Sequence, residues 1–252
     1  MTTTDADLFR NVRLSPEPSR SPEDERAQRK LDAVSGYRIL ASFGWGDDGA
    51  GHVSARDPQE VDSFWLLRYG VSFARATVDD LVLVRPDGST ASGEPINPAA
   101  FCIHGPIHRA RPDIVSAVHT HTGYGTPFAA MARPIRAVSQ EACGFHGDQA
   151  VFLGEELDVL DLAAGGRLAA ALGPHRLLVL ANHGLLTVGA TVGQAVGFFV
   201  LAERAAEVEV KVGDRARVVS DEAAAAVYRS VGDPAQGESI FAWLRRTRLG
   251  ES

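Results

Sequence analysis

Eight histidines carry the widest chemical range in this 252-residue sequence: His52, His104, His108, His119, His121, His146, His175 and His183. A neutral imidazole can ligate a metal or move a proton near pH 7. Two of them stand one residue apart at the end of an apolar, strand-like run, "IVSAVHTHT" (114–122). Strand side chains alternate between faces, so His119 and His121 leave the same face. Such a pair binds a metal, relays a proton or occupies a polar pocket. A third, His183, ends another apolar run in "LLVLANHGLLTVG", where Gly184 is expected to let the chain turn while the imidazole points into a cleft. Three histidine ligands leave a coordination position open for water or substrate, as in catalytic metal sites. His175 is read as an ordinary core or surface residue. His104 and His108 are spaced i and i+4, but Gly105-Pro106 between them argues against a regular helical turn. They are assigned packing or supporting roles, and Arg109 and Arg111 structural ion pairs.

The elements that must hold these residues follow from pattern. Residues 1–20 contain "LSPEPSR", with no periodicity, and are expected to form a flexible arm before one α/β domain over 21–252. Ser21-Pro22-Glu23-Asp24 has a helix cap, a proline at the first turn and acids behind it. Residues 62–84 read as strands around turns, with "RPDGST" a hairpin signal. Asn97-Pro98 opens a helix that ends near 110–113, and 114–121 is a strand. Residues 155–172 read as a helix weakened by Gly165-Gly166, and 176–182 as a strand. Thr191 and Gln194 form a capping box for a long helix. "GWGDDG" (44–49) matches G-x-G-x-x-G, yet a helix precedes it, a strand follows it, and Asp47 and Asp48 stand where phosphate would sit. It is read as a turn from helix to strand.

Bulk properties narrow the class. A net charge of -7 gives no basic footprint for nucleic acid. Apolar runs are too short and interrupted for a membrane span, and no signal peptide is evident. Cys102 and Cys143 cannot build a disulfide framework and fit small core positions in a reducing cytoplasm.

"HGPIHRARPDIVSAVHTHTGYGTPFAA" (104–130) and "LLVLANHGLLTVGATVGQAV" (177–196) resemble the class II aldolase/adducin family, and "GAGHVSARDP" (49–58) resembles its first glycine-rich loop. The resemblance spans about 25–212. It implies an α/β/α sandwich around a mainly antiparallel sheet, usually a homotetramer acting on a small molecule. It also implies that His119, His121 and His183 bind a divalent metal, generally zinc, with iron(II) or manganese as the other options. The chain departs from the sugar-phosphate aldolases at one helix start. Their proton-transferring glutamate falls on Ala100, their phosphate-binding serines fall on Pro98 and Ala99, and an asparagine of the first loop falls on His52. Alanine accepts no proton. Ala100 and His104 are expected to line the metal pocket, and His52, Tyr124, Glu141 and His146 are the candidate catalytic groups. Three readings stay open. The first is a metal-dependent lyase cleaving a carbon–carbon bond of a hydroxy-carbonyl or carboxylate substrate. The second is an iron(II) oxygenase with decarboxylation, since "DSFWLLRYGVSF" and "SQEACGFHGD" resemble that branch. The third is a non-catalytic adducin-like module. Tyr228 and "FAWLRRTR" either cap the cleft or form a C-terminal amphipathic helix.

Overall fold

A computed structural model describes residues 20–46, 48–155 and 157–251. The expected arm over 1–20 lies, apart from Arg20, outside the described residues. Helix α1 (Pro22–Ala41) starts as its sequence dictates: the Ser21 side chain accepts from the Asp24 N–H, with Pro22 in the first turn. A turn through the glycine-rich stretch then leads to strand β1 (Gly51–Val53). Gly51 has φ 127°, and a Cβ there would lie 2.5 Å from the Thr120 side chain, so only glycine brings β1 this close to its neighbour.

The central sheet has five strands: β1, β5 (Ser116–Thr120), β6 (Gln149–Phe152), β7 (Leu177–Leu180) and β8 (Gly184–Gly189). Their spatial order is β1-β5-β8-β7-β6, antiparallel throughout except for the parallel β7–β6 pair. The remaining strands, β2 (Ala55–Arg56), β3 (Phe64–Leu67) and β4 (Leu81–Val84), form a small antiparallel sheet. The "RPDGST" turn closes on a single bridge between Val84 and Thr90.

Strand alternation sorts the core into two layers. Val53, Val118, Leu177, Val179 and Leu185 pack with α1 and the long helix α6 (Val192–Val212). Ala117, Leu178, Leu180, Leu186 and Val188 pack instead with α2 (Pro98–Ala110) and α5 (Leu162–Leu172). The short helices α3 (Gly125–Ala129) and α4 (Gln140–Cys143), and the C-terminal α7 (Asp221–Val231) and α8 (Pro234–Leu244), complete the fold. This is an α/β/α sandwich around a mainly antiparallel sheet. No described helix is long and apolar enough to cross a membrane.

Three expectations need correction. Helix α2 runs through Gly105-Pro106 unbroken. Pro106 has no N–H for the Cys102 carbonyl, and the space beside that carbonyl is taken by Gly165 of α5, where a Cβ would lie 1.8 Å from the oxygen. The Gly165-Gly166 pair therefore marks a close helix crossing. Second, α5 begins at Leu162 and not at 155, because Asp161 supplies its cap, accepting from the Ala164 N–H. Third, Gln194 bonds the Ala190 N–H while the Thr191 side chain caps α6, one residue off the expected box. In the C-terminal segment Phe241 and Leu244 are buried while Trp243 is exposed, as an amphipathic helix requires. Tyr228 donates to Asp148, tying α7 to the start of β6.

Candidate metal centre

His119 lies on β5, facing the α2 layer along with Ala117 two residues earlier. His121 follows just past the strand end on the same side. The β7–β8 turn brings in His183: Leu180 pairs with Gly184, and Asn182 takes left-handed backbone at φ 58°. Asparagine tolerates that region better than most residues. Asn182, and not Gly184, therefore makes the turn. Gly184 leaves room, since a Cβ there would lie 3.3 Å from the His119 ring.

The three imidazoles converge. Ring centroids are separated by 5.4 Å (His119–His121), 4.8 Å (His119–His183) and 5.1 Å (His121–His183). Each offers one nitrogen, and these nitrogens all lie within 4.8 Å of one another. His119 Nδ1 donates to the Leu185 carbonyl at 2.8 Å, which fixes its tautomer and leaves Nε2 as the ligating atom. Burial pushes His119 well below the usual histidine range, and burial with the neighbouring His121 brings His183 down to about 4. Three imidazole nitrogens meeting at one point are a donor set suited to a borderline divalent ion.

Behind this cluster lies a second histidine group, joining the catalytic candidate His52 to His104 and His108, whose spacing had suggested packing or supporting roles. His52 stands opposite His119 in the β1–β5 register, with ring centroids 5.2 Å apart. His52 Nδ1 meets His104 Nε2 at 2.5 Å; His104 Nδ1 meets Ser54 Oγ at 2.6 Å; Ser54 Oγ meets His108 Nε2 at 2.8 Å. The periods explain the fit: His52 and Ser54 share a strand face, His104 and His108 share a helix face, and both repeats advance about 6 Å. His-x-Ser beside His-x-x-x-His was the signal available in the sequence. Arg56 holds the end of α2 in place, donating to the His108 carbonyl at 2.6 Å.

Ala100 is buried on α2, one turn before His104, among Phe64, Leu66, Val82 and Val84. The Tyr124 ring lies under the Lys211 ammonium, 5.1 Å away, against α6. Glu141 lies in the first turn of α4 and His146 follows that helix; both are half-buried, and neither joins the three-histidine cluster. Arg111 pairs with Asp113 as expected, but Arg109 is exposed and forms no ion pair among the described residues. Glu203 of α6 carries no motif or spacing that would single it out. Its buried carboxylate accepts from Thr122 Oγ1 and from the Tyr124 and Gly125 N–H groups, pinning the loop after His121. Burial holds Glu203 above the ordinary carboxylate range despite those three donors.

Comparison with known proteins places this geometry. The family model for the class II aldolase and adducin N-terminal domain matches residues 32–210. A 4-hydroxy-3-prenylphenylpyruvate oxygenase/4-hydroxy-3-prenylbenzoate synthase of Streptomyces roseochromogenus is 37% identical over 190 residues, covering 74% of this chain and 69% of that protein. Human beta-adducin is 30% identical over 242 residues, covering 90% of this chain and 32% of adducin. The solved structure of an L-fuculose 1-phosphate aldolase from Glaciozyma antarctica superposes with a TM-score of 0.83 at 30% identity, covering 97% of this chain and 98% of that one. With the family match spanning most of its length and the aldolase fold retained end to end, the chain belongs to the class II aldolase/adducin family.

Proposed function

We propose that this protein is a divalent-metal-dependent enzyme that cleaves a carbon–carbon bond in a small hydroxy-carbonyl or carboxylate substrate. The observation that carries this reading is the convergence of His119, His121 and His183. These residues would hold the ion, zinc by expectation and iron(II) or manganese otherwise. The ion would supply Lewis acidity toward a substrate oxygen. The chain itself must then accept a proton, and Ala100 cannot. His52 is the candidate best placed for that role: Nδ1 is engaged by His104, and Nε2 makes no bond to the described residues. Two buried free thiols suit a reducing cytoplasm, and a homotetramer is the expected assembly.

A second reading, an iron(II) oxygenase with decarboxylation, is supported by the 37% identity to the prenylphenylpyruvate oxygenase. A non-catalytic module, as adducin similarity suggests, is the third. Metal analysis of the full chain purified without added metal separates them. Zinc or manganese with metal-dependent cleavage supports the lyase, iron with oxygen-dependent turnover the oxygenase, and a chain that takes up no ion the module. With Pro98, Ala99 and Ala100 at the helix start, turnover of fuculose- or ribulose-phosphate is expected to be negligible. Robust cleavage of either would contradict the placement of that helix start.

A further inference from the structure

His108 carries the second clue. It is buried, its ring stacks on Phe64 at 4.8 Å, and its Nδ1 has no hydrogen-bond partner. The ring also lines a cavity of about 270 Å3, together with Phe64, Phe101, Pro86 and Arg56. An unpartnered buried nitrogen beside a cavity calls for a reason.

Hydrogen-bond stoichiometry supplies one. A serine hydroxyl has one proton to give and two lone pairs. The Ala117 N–H donates to Ser54 Oγ at 3.2 Å and takes one lone pair. The 3.4 Å contact of the hydroxyl with the Ala117 carbonyl is too long to compete with the 2.6 and 2.8 Å contacts to the two imidazoles. One of His104 and His108 must therefore donate to Ser54 while the other accepts from it. The same constraint passes on to His52 through the His104 contact.

Only two arrangements of a neutral chain satisfy every contact. In one, His52, His104 and His108 all carry the proton on Nδ1, so His52 Nε2 is a bare lone pair and His108 Nδ1 is a donor. In the other, all three carry it on Nε2, and both ends reverse. The two free nitrogens, three hydrogen bonds apart along the chain of groups, always hold opposite roles.

We propose that His104, Ser54 and His108 form a proton relay behind His52, joining the three-histidine pocket to the cavity at Phe64 and Phe101. Its use rests on the metal-dependent reaction proposed above. Starting from the Nδ1 arrangement, His52 Nε2 accepts a proton from the substrate and passes its Nδ1 proton to His104 Nε2. His104 passes its Nδ1 proton to Ser54 Oγ, Ser54 passes its own to His108 Nε2, and His108 releases the Nδ1 proton to water in the cavity. Each group gains and loses one proton, so the relay keeps no net charge. Burial supports this neutrality, pushing His104 well below its ordinary range and His108 to about 3. The relay supplies the proton path that the aldolase glutamate, replaced here by Ala100, would otherwise provide.

Two measurements test the relay. Long-range proton–nitrogen correlation spectra of the nitrogen-15-labelled, metal-free chain read each tautomer directly. The three rings are expected to share one tautomer, and a mixed set would overturn the coupling. This readout stands whatever reaction the protein performs. In the zinc-loaded chain, Ser54→Ala is expected to slow solvent-deuterium exchange into hydroxyacetone by about 100-fold with zinc content unchanged. Ser54→Thr, which keeps the hydroxyl, is expected to retain most of the exchange. Exchange at the wild-type rate in folded, zinc-loaded Ser54→Ala would refute the relay. A wild-type chain that binds zinc without any exchange would instead refute the proposed reaction, leaving the tautomer result to judge the coupling.

Discussion

Two groups of histidines stand side by side and treat their nitrogens in opposite ways. His119, His121 and His183 point ligand atoms at one place, and His121 is exposed. His52, His104 and His108 are buried and spend their nitrogens on one another and on Ser54. The first group comes from a strand end and a hairpin turn, the second from a strand and a helix. One residue type thus makes a ligand set where lone pairs converge, and a chain where donors and acceptors alternate.

The sharpest way to break this contrast is to remove a member of the first group. His183→Ala is expected to weaken zinc binding by more than ~100-fold, because even outer partners of a ligand cost 10–100-fold when lost. His108→Gln should leave zinc affinity within a few-fold. Equal losses in the two variants, measured by competition with a chromogenic chelator, would erase the distinction.

Ala100→Glu comes next in size. The new carboxylate would enter an apolar cluster with Phe64, Leu66, Val82 and Val84, costing on the order of 4 kcal/mol if it stays charged and unpaired. If Ala100 also borders the metal pocket, added zinc will recover more stability in the variant than in wild type. Urea unfolding with and without zinc reads both effects, and an equal zinc increment in the two proteins would separate Ala100 from the pocket.

Gly165→Ala sharpens the comparison from α2. Its Cβ would strike the Cys102 carbonyl, displacing the helix that carries His104 and His108 but none of the three converging histidines. A loss of about 3 kcal/mol is expected, with zinc affinity retained. A parallel fall in zinc affinity would mean that α2 supports the ligands as well.

The smallest effect is on pH dependence. His108 has its pKa lowered to about 3 by burial, against 6.5 for an ordinary histidine. Between those values the unfolded chain binds a proton that the folded chain does not. His108 therefore lowers stability as pH falls, by about 1.4 kcal/mol per unit well below 6.5. In metal-free protein between pH 5.5 and 4.5, the slope of unfolding free energy against pH should be shallower by about one proton in His108→Gln. An unchanged slope would mean that His108 is protonated in the fold, and a charged His108 could not pass a proton along.

The sequence made the first histidine group legible and largely hid the second. Period-two alternation put His119 and His121 on one face, and capping residues located the starts of α1, α2 and α6. Gly105-Pro106 concealed the other group, because local rules say that proline interrupts a helix. The fold answers that rule with a distant residue, Gly165, which no local pattern connects to Pro106. Asn182 was hidden for the same kind of reason: glycine at 184 was the obvious turn former, but the turn bends one residue before His183. Glu203 reaches the Thr122–Gly125 loop from 78 residues away in sequence, a pairing only tertiary structure reveals.

The central claim is that His119, His121 and His183 bind one divalent ion. X-ray absorption fine structure of the full chain loaded with one equivalent of zinc tests it directly. Three imidazole nitrogens at about 2.0–2.1 Å, with the remaining position filled by a light atom, are the expected coordination. The same spectrum from His183→Ala should lose an imidazole or show no bound zinc. A sulfur ligand, fewer than three imidazoles in wild type, or an unchanged spectrum in His183→Ala would contradict the account.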